Sequence, residues 1–256
     1  MTERTRTGPV VVIGGAGGIG TAIAEAAARN GSNVWIADIR DASSTTSRLP
    51  GTGHRAVVTD VTDPADVESL IRSCWEDGPP IGLVYAAGLN HTADVADIDS
   101  ADFGRLFGVN LTGAFQVGKA IQRRLRMQTC TLSMVFVSSV AGLHGEAGGA
   151  LYCATKFGLL AFVQSFAAEI AEYGCRVNAV CPGNVDTPML RWLAGKMGER
   201  SGIGQDEALR ELADATAFRR LLTPAEVANA CLWLLSAESS GISGQTIIVD
   251  GPAPRT

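Results

Sequence analysis

Three observations predict a doubly wound α/β fold, with a seven-stranded parallel sheet and helices on both faces. Seven short runs rich in apolar and β-branched residues alternate with stretches at helical spacing. The first of these runs passes straight into a glycine-rich turn and then a helix. No Pro/Ser-rich linker, charge run or shift in composition divides the 256 residues, so residues 1–256 read as one domain.

Val10-Val11-Val12-Ile13 is a continuous β-branched run, the pattern of a strand buried on both faces. Gly14-Gly15-Ala16-Gly17-Gly18-Ile19-Gly20 then places five glycines within seven residues, giving the freedom that a tight turn needs. Ile19, Ile23, Ala26 and Ala27 follow at helical spacing, and Asn30-Gly31 marks the stop. The first-turn N–H groups of such a helix lack internal partners and carry the positive end of its dipole, so a pyrophosphate fits over the turn. The glycines satisfy two registers, Gly15-x-Gly17-x-x-Gly20 and the longer-spaced Gly14-x-x-x-Gly18-x-Gly20.

Val34-Trp35-Ile36-Ala37-Asp38 repeats the strand pattern and ends in a carboxylate twenty residues after Gly18, where an acid meets the adenosine ribose of NAD. Asp38 there accepts from the 2′-OH and repels a 2′-phosphate. Arg40 is a rival phosphate ligand, whereas the glycine loop itself holds no Lys or Arg. Residues 41–53 lack apolar periodicity, so the next helix is expected to be short or absent. Residues 56–60 form the third strand, and Asp60 either bonds adenine or joins the capping cluster at Asp63-Pro64 that opens a helix over 66–75.

Residues 81–88 form a fourth strand whose small end, Ala86-Ala87-Gly88, lets a ligand approach the backbone. In the long helix from Ser100, one stripe takes Phe103, Phe107, Asn110, Ala114, Gly118, Ile121 and Leu125, which buries Asn110. A buried amide must bond either local backbone or an interior water. The fifth strand, 132–137, ends at Ser138-Ser139, where open α/β sheets bind ligands. Thirteen residues on, Tyr152 and Lys156 share one helix face at i and i+4.

Residues 176–181 form the sixth strand and run into Pro182-Gly183-Asn184-Val185-Asp186-Thr187-Pro188. Two helical segments, 189–199 and 206–218, make an insertion at about 186–222 of the kind that forms a lid. Thr223-Pro224-Ala225-Glu226 has the form of a capped helix start, and residues 244–250 supply the seventh strand.

A net charge of −5 with scattered basic residues argues against nucleic acid or an anionic membrane as partner and favours a small molecule. The six cysteines lack C-x-x-C spacing and histidine company, which predicts reduced thiols and no metal site. The basic stretch 1–7 leads straight into the glycine-rich strand, and no apolar run reads as long enough to span a bilayer, which together predict a cytoplasmic protein.

Taken together, these residues resemble the short-chain dehydrogenase/reductase family of Rossmann-type enzymes over nearly the whole chain. The resemblance places the catalytic Tyr-x-x-x-Lys motif on Tyr152 and Lys156, the serine on Ser139, the asparagine on Asn110, and the glycine motif on Gly14, Gly18 and Gly20. It implies that Ile19 accompanies the glycine turn, that Asp38 and Ile39 meet the adenosine ribose, and that Asp60 and Val61 meet the adenine. It further implies that Ala86, Ala87 and Gly88 line the cofactor channel, that Val185 and Thr187 contact the nicotinamide carboxamide, and that Pro182-Gly183 shape that end. A homotetramer built through helices at 100–126 and 152–173 is also implied. Ile13 and Tyr85 depart from the family's usual threonine and asparagine, which predicts that packing partly replaces polar bracing there.

A phenol with a pKa of about 10 is a poor base at neutral pH, and an opposite charge nearby lowers such a value by roughly 1–3 units. Lys156 is expected to supply that charge. The predicted reaction passes a hydride between a secondary alcohol or diol and NAD, with Tyr152 as acid/base, Ser139 on the same oxygen, and Asn110 holding a water that links Lys156 to solvent. Competing readings are an NADP-dependent carbonyl reductase, supported by Arg40, and a non-catalytic dinucleotide-binding protein. His91, Ser139, His144, Met189 and Trp192 are candidate substrate residues. The mixture of apolar lid residues with Arg191, Lys196 and Arg200 suggests a cyclic or carboxylated alcohol.

Overall fold

The computed structural model describes residues 8–252, so the basic stretch 1–7 lies outside the described residues. Its sheet has seven parallel strands: β1 (Val10–Ile13), β2 (Val34–Asp38), β3 (Arg55–Val58), β4 (Gly82–Tyr85), β5 (Ser133–Val137), β6 (Arg176–Pro182) and β7 (Thr246–Val249). The spatial order is β3-β2-β1-β4-β5-β6-β7. The chain therefore runs outward from β1 to β3 and returns to β4 on the other side of β1, which makes the β1/β4 boundary the switch point where open α/β sheets bind ligands.

Strand alternation builds two cores. Val11, Ile13, Trp35, Leu83, Tyr85, Met134 and Phe136 face α3 (Pro64–Asp77), α5 (Gly113–Met127) and α6 (Ala150–Ile170). Val10, Val12, Val34, Ile36, Val84 and Val135 face α1 (Gly18–Arg29) and α9 (Pro224–Leu235). With both faces covered, near-continuous apolar strands are the expected pattern. The link between β2 and β3 holds only the single turn α2 (Ser43–Thr46), in keeping with its lack of periodicity.

The long helix from Ser100 is not one α-helix. α4 (Ser100–Phe107) passes into a π-helical turn at Gly108–Thr112 before α5 begins. The wider turn shifts the buried line, so Leu106 is buried while Phe103, expected on the stripe, is 50% exposed and stacks on Phe107. Asn110 is fully buried, as expected.

α7 (Pro188–Ser201) and α8 (Gln205–Asp214) form the insertion. α8 ends at Asp214, four residues short of the expected 218, and Thr216 then accepts from the Arg220 N–H while donating to the Arg220 carbonyl. Both roots of the insertion are tied: Leu222 N–H donates to Asn184 and Asp186 N–H donates to Leu222, each at 2.8 Å. At the start of α9 both halves of the capping box are formed.

α6 and the short turn that follows, 150–173, make a helical segment of 24 residues containing an 18-residue window of mean hydropathy 1.3, long and apolar enough to cross a membrane by length and composition. This corrects the expectation that no run reaches that length. In the fold the helix is a core element, with Leu159, Val163, Phe166 and Ile170 buried against the sheet.

Candidate active site

The glycine turn follows β1 because the chain must reverse beside two neighbouring strands. Gly14 has φ +80°, and a Cβ there would strike the backbone of Ala87. A Cβ on Gly20 would strike the Gly14 carbonyl, so α1 can approach the turn only with glycine at that position. α1 begins without a side-chain cap and without an acid in its first turn, which leaves its N-terminal dipole free for an anion. These features fit the pyrophosphate of a dinucleotide.

At the end of β2, Asp38 is buried at 7% exposure. One carboxylate oxygen accepts from Ala16 N–H of the glycine loop at 3.0 Å, and the other accepts from Arg40 N–H and Nε at 3.0 and 3.3 Å. The acid thus holds the loop from one side and the rival Arg40 from the other. Ile39 stands 65% exposed beside it. Asp60 accepts from Thr62 N–H and hydroxyl, while Asp63 caps α3 through Ala65 N–H. Val61 is buried in the core beneath them.

Across the switch point, Ala86 N–H donates to Ile13 and continues β4 toward Gly88. A Cβ built on Gly88 would lie 3.6 Å from both Asn110 Oδ1 and Lys156 Nζ, so these two side chains converge on one bare stretch of backbone. Three hydrogen bonds hold the Asn110 amide: Oδ1 accepts from Leu89 N–H at 2.8 Å, and Nδ2 donates to the Leu89 carbonyl and Thr155 Oγ1 at 2.9 and 3.0 Å. Its side chain braces the β4 loop against α6.

α6 carries Tyr152 and Lys156, one turn apart. Lys156 Nζ donates to the Val137 carbonyl at 3.0 Å and lies 5.6 Å from the centre of the Tyr152 ring. Ser139 follows β5, its hydroxyl accepts from Ala141 N–H, and it favours the ionised form of the Tyr152 phenol. Burial pushes the phenol up to about 12, against the downward pull of Ser139. Burial likewise pulls the ammonium down to about 8. Lys156 was expected to lower the tyrosine together with the positive ring of bound NAD; in the protein alone, desolvation dominates.

At the far end stands the root of the insertion. Thr187 caps α7 through Leu190 N–H and donates to the Val185 carbonyl, and a Cβ on Gly18 would lie 2.8 Å from Thr187 Cγ2. Pro182 ends β6, and a Cβ on Gly183 would run into the Asp250 carboxylate. The glycine turn, the β4 end, Ser139 and the root of the insertion therefore border one crevice.

The substrate candidates are less unified. His91 Nε2 pairs with Asp102 at 3.2 Å, and its Nδ1 is buried without a protein partner. His144 is exposed, and Met189 and Trp192 are 39% and 46% exposed. Three cations of the insertion are each paired with an acid across exposed ion pairs: Arg191 with Asp186, Lys196 with Glu199 and Arg200 with Asp94. A groove of about 450 Å³ between α5 and α6 is lined by Phe115, Gln122, Phe162 and Glu169 and contains none of the catalytic candidates.

Sheet, glycine turn and the Ser139-Tyr152-Lys156 cluster together define a nucleotide-binding oxidoreductase. The family model described as Enoyl-(Acyl carrier protein) reductase matches residues 14–252, and the chain belongs to the short-chain dehydrogenase/reductase family, whose members bind a nicotinamide dinucleotide. It is 34% identical to 2-(S)-hydroxypropyl-CoM dehydrogenase 3 of Xanthobacter autotrophicus, covering 98% of both chains. It is 32% identical to galactitol 2-dehydrogenase of Agrobacterium fabrum, covering 94% of this chain and 95% of that one. Among solved structures, a single-substitution variant of actinorhodin polyketide ketoreductase with NADPH superposes with TM-score 0.89 at 26% identity, covering 96% of each chain.

Proposed function

We propose that the chain is an NAD-dependent dehydrogenase of secondary alcohols or diols. The observation that carries this reading is the gathering of Ser139, Tyr152 and buried Lys156, whose Nζ lies 5.6 Å from the centre of the Tyr152 ring. NAD, when held by the residues named below, would supply the acceptor for the hydride that leaves the substrate's carbinol carbon, together with positive charge that favours the phenolate. Ser139 holds the substrate oxygen, Tyr152 takes its proton, and Lys156 supplies positive charge beside the phenolate. With its amide engaged, Asn110 positions Leu89 and α6, and a linking water then falls to its backbone or to the second lone pair of Oδ1.

Asp38 supports NAD, since a buried carboxylate disfavours a 2′-phosphate at that point. Gly14, Gly18, Ile19, Gly20, Ile39, Asp60, Val61, Ala86, Ala87, Gly88, Pro182, Gly183, Val185 and Thr187 complete the proposed cofactor site. The names of two relatives, a 2-hydroxypropyl and a galactitol 2-dehydrogenase, support oxidation at a secondary carbon. His91, Met189 and Trp192 are the proposed substrate contacts. The paired phenylalanines Phe115 and Phe162 of the α5/α6 groove support a homotetramer, and six free thiols suit a reducing, cytoplasmic compartment.

A second reading, NADP-dependent ketone reduction, draws on Arg40, 65% exposed beside Asp38, and on the NADPH-bound ketoreductase. Comparing kcat/KM for the two cofactors decides between them. The reaction itself is tested by NADH formation on secondary alcohols and diols with Tyr152→Phe as control: the variant must lose nearly all turnover.

A further inference from the structure

Tyr85 ends β4 at the position where packing was expected partly to replace polar bracing. It is fully buried and stacks on Phe136 of the neighbouring strand, but its hydroxyl also donates to the Val109 carbonyl at 2.5 Å. Val109 belongs to the π-helical turn Gly108–Thr112, and the next residue is Asn110. A Cβ on Gly113 would lie 2.6 Å from the Tyr85 hydroxyl oxygen, so glycine at that position gives the phenol its room.

We propose that Tyr85 is a positioning residue: its hydroxyl locks the π-helical turn so that the Asn110 amide grips Leu89 on one side and Thr155 on the other. The grip reaches the catalytic helix directly, because Thr155 Oγ1 also donates to the Tyr152 carbonyl at 2.8 Å. It reaches the cofactor channel through Leu89, which follows Gly88 and its approach to Lys156 Nζ. π turns widen the helix and loosen its regular bonding, so an outside donor on a carbonyl within the turn selects one register of the following residue. A phenol reaching from the sheet to that carbonyl supplies such a donor in a site without water competition.

The catalytic consequence rests on the function proposed above; the structural one does not. The experiment therefore reads both. Tyr85→Phe keeps the ring and removes only the hydroxyl. Expected are a kcat about tenfold lower, a KM for NAD within about twofold, and no further loss when Tyr85→Phe is added to Asn110→Ala, because the two act in series. Hydrogen exchange in Tyr85→Phe is expected to be at least about tenfold faster over residues 86–92 and 108–115, with β7 unchanged. Gly113→Ala crowds the same hydroxyl and serves if the first variant does not fold, with the same expected direction. A kcat within twofold of wild type, losses that multiply in the double variant, or unchanged exchange would overturn the proposal. If the wild-type enzyme oxidises no alcohol, the function reading fails and the exchange result alone decides the role of Tyr85.

Discussion

The carboxylate of Asp38 accepts a hydrogen bond from Ala16 N–H at 3.0 Å, joining the end of β2 to the glycine loop. One residue thus fixes the loop over the helix N-terminus. Asp38→Ser is expected to lower kcat/KM for NAD by about tenfold or more and to raise it for NADP, because Arg40 loses its anionic partner and becomes free for phosphate. Steady-state kinetics with both cofactors measures the ratio. An unchanged preference would remove Asp38 from cofactor selection.

Lys156 is 4% exposed, and burial lowers it from its ordinary 10.5 to about 8. Its folded value lies below its unfolded value, so the unfolded chain binds more protons between pH 8 and 10.5. Stability from this group therefore rises with pH across that window, and below it the cost of the buried cation is constant. Lys156→Met is expected to abolish turnover yet raise the unfolding free energy at neutral pH by on the order of 3 kcal/mol. Urea unfolding at neutral pH and near the upper end of the window checks both the gain and its disappearance.

Arg176 opens β6 and donates to the carbonyls of Leu234, Ser236, Ser239 and Ile242 and to the hydroxyls of Ser133 and Ser239. It ties the end of α9 to the sheet far from the catalytic crevice. Arg176→Ala leaves several part-buried carbonyls without their donor and is expected to cost on the order of 3 kcal/mol, or about 10 °C in Tm. KM values should change little; calorimetry beside kinetics tests that separation.

His91 is oriented by Asp102, which leaves Nδ1 buried and open to a polar group. His91→Leu is expected to raise KM for a diol about tenfold while the cofactor Kd stays within about twofold. Equal losses for diols and simple secondary alcohols would mean that His91 shapes the loop without touching a second hydroxyl.

The fold was legible because local patterns carry it. Gly14, Gly18 and Gly20 are spaced for one turn, and Thr223 with Glu226 forms its capping box within four residues. Tyr152 and Lys156 were legible as an i, i+4 pair, and Asn110 as buried. What escaped depends on distant partners or on one extra residue. The π-helical turn differs from an α-turn by a single residue of phase, enough to move burial from Phe103 to Leu106. Arg200 pairs with Asp94 across 106 positions, and Arg176 finds its acceptors 43 to 66 positions away. Tyr85 read as packing that partly replaces polar bracing, because nothing nearby in sequence marks the Val109 carbonyl as its acceptor.

The central claim is tested most directly by NADH formation from NAD by the purified protein on linear polyols, cyclic diols, hydroxy acids and simple secondary alcohols, beside Tyr152→Phe. The account predicts turnover on at least one class of secondary alcohol, lowered by about 10³-fold or more in the variant. Turnover that survives Tyr152→Phe at near wild-type rate would contradict it, whatever the substrate.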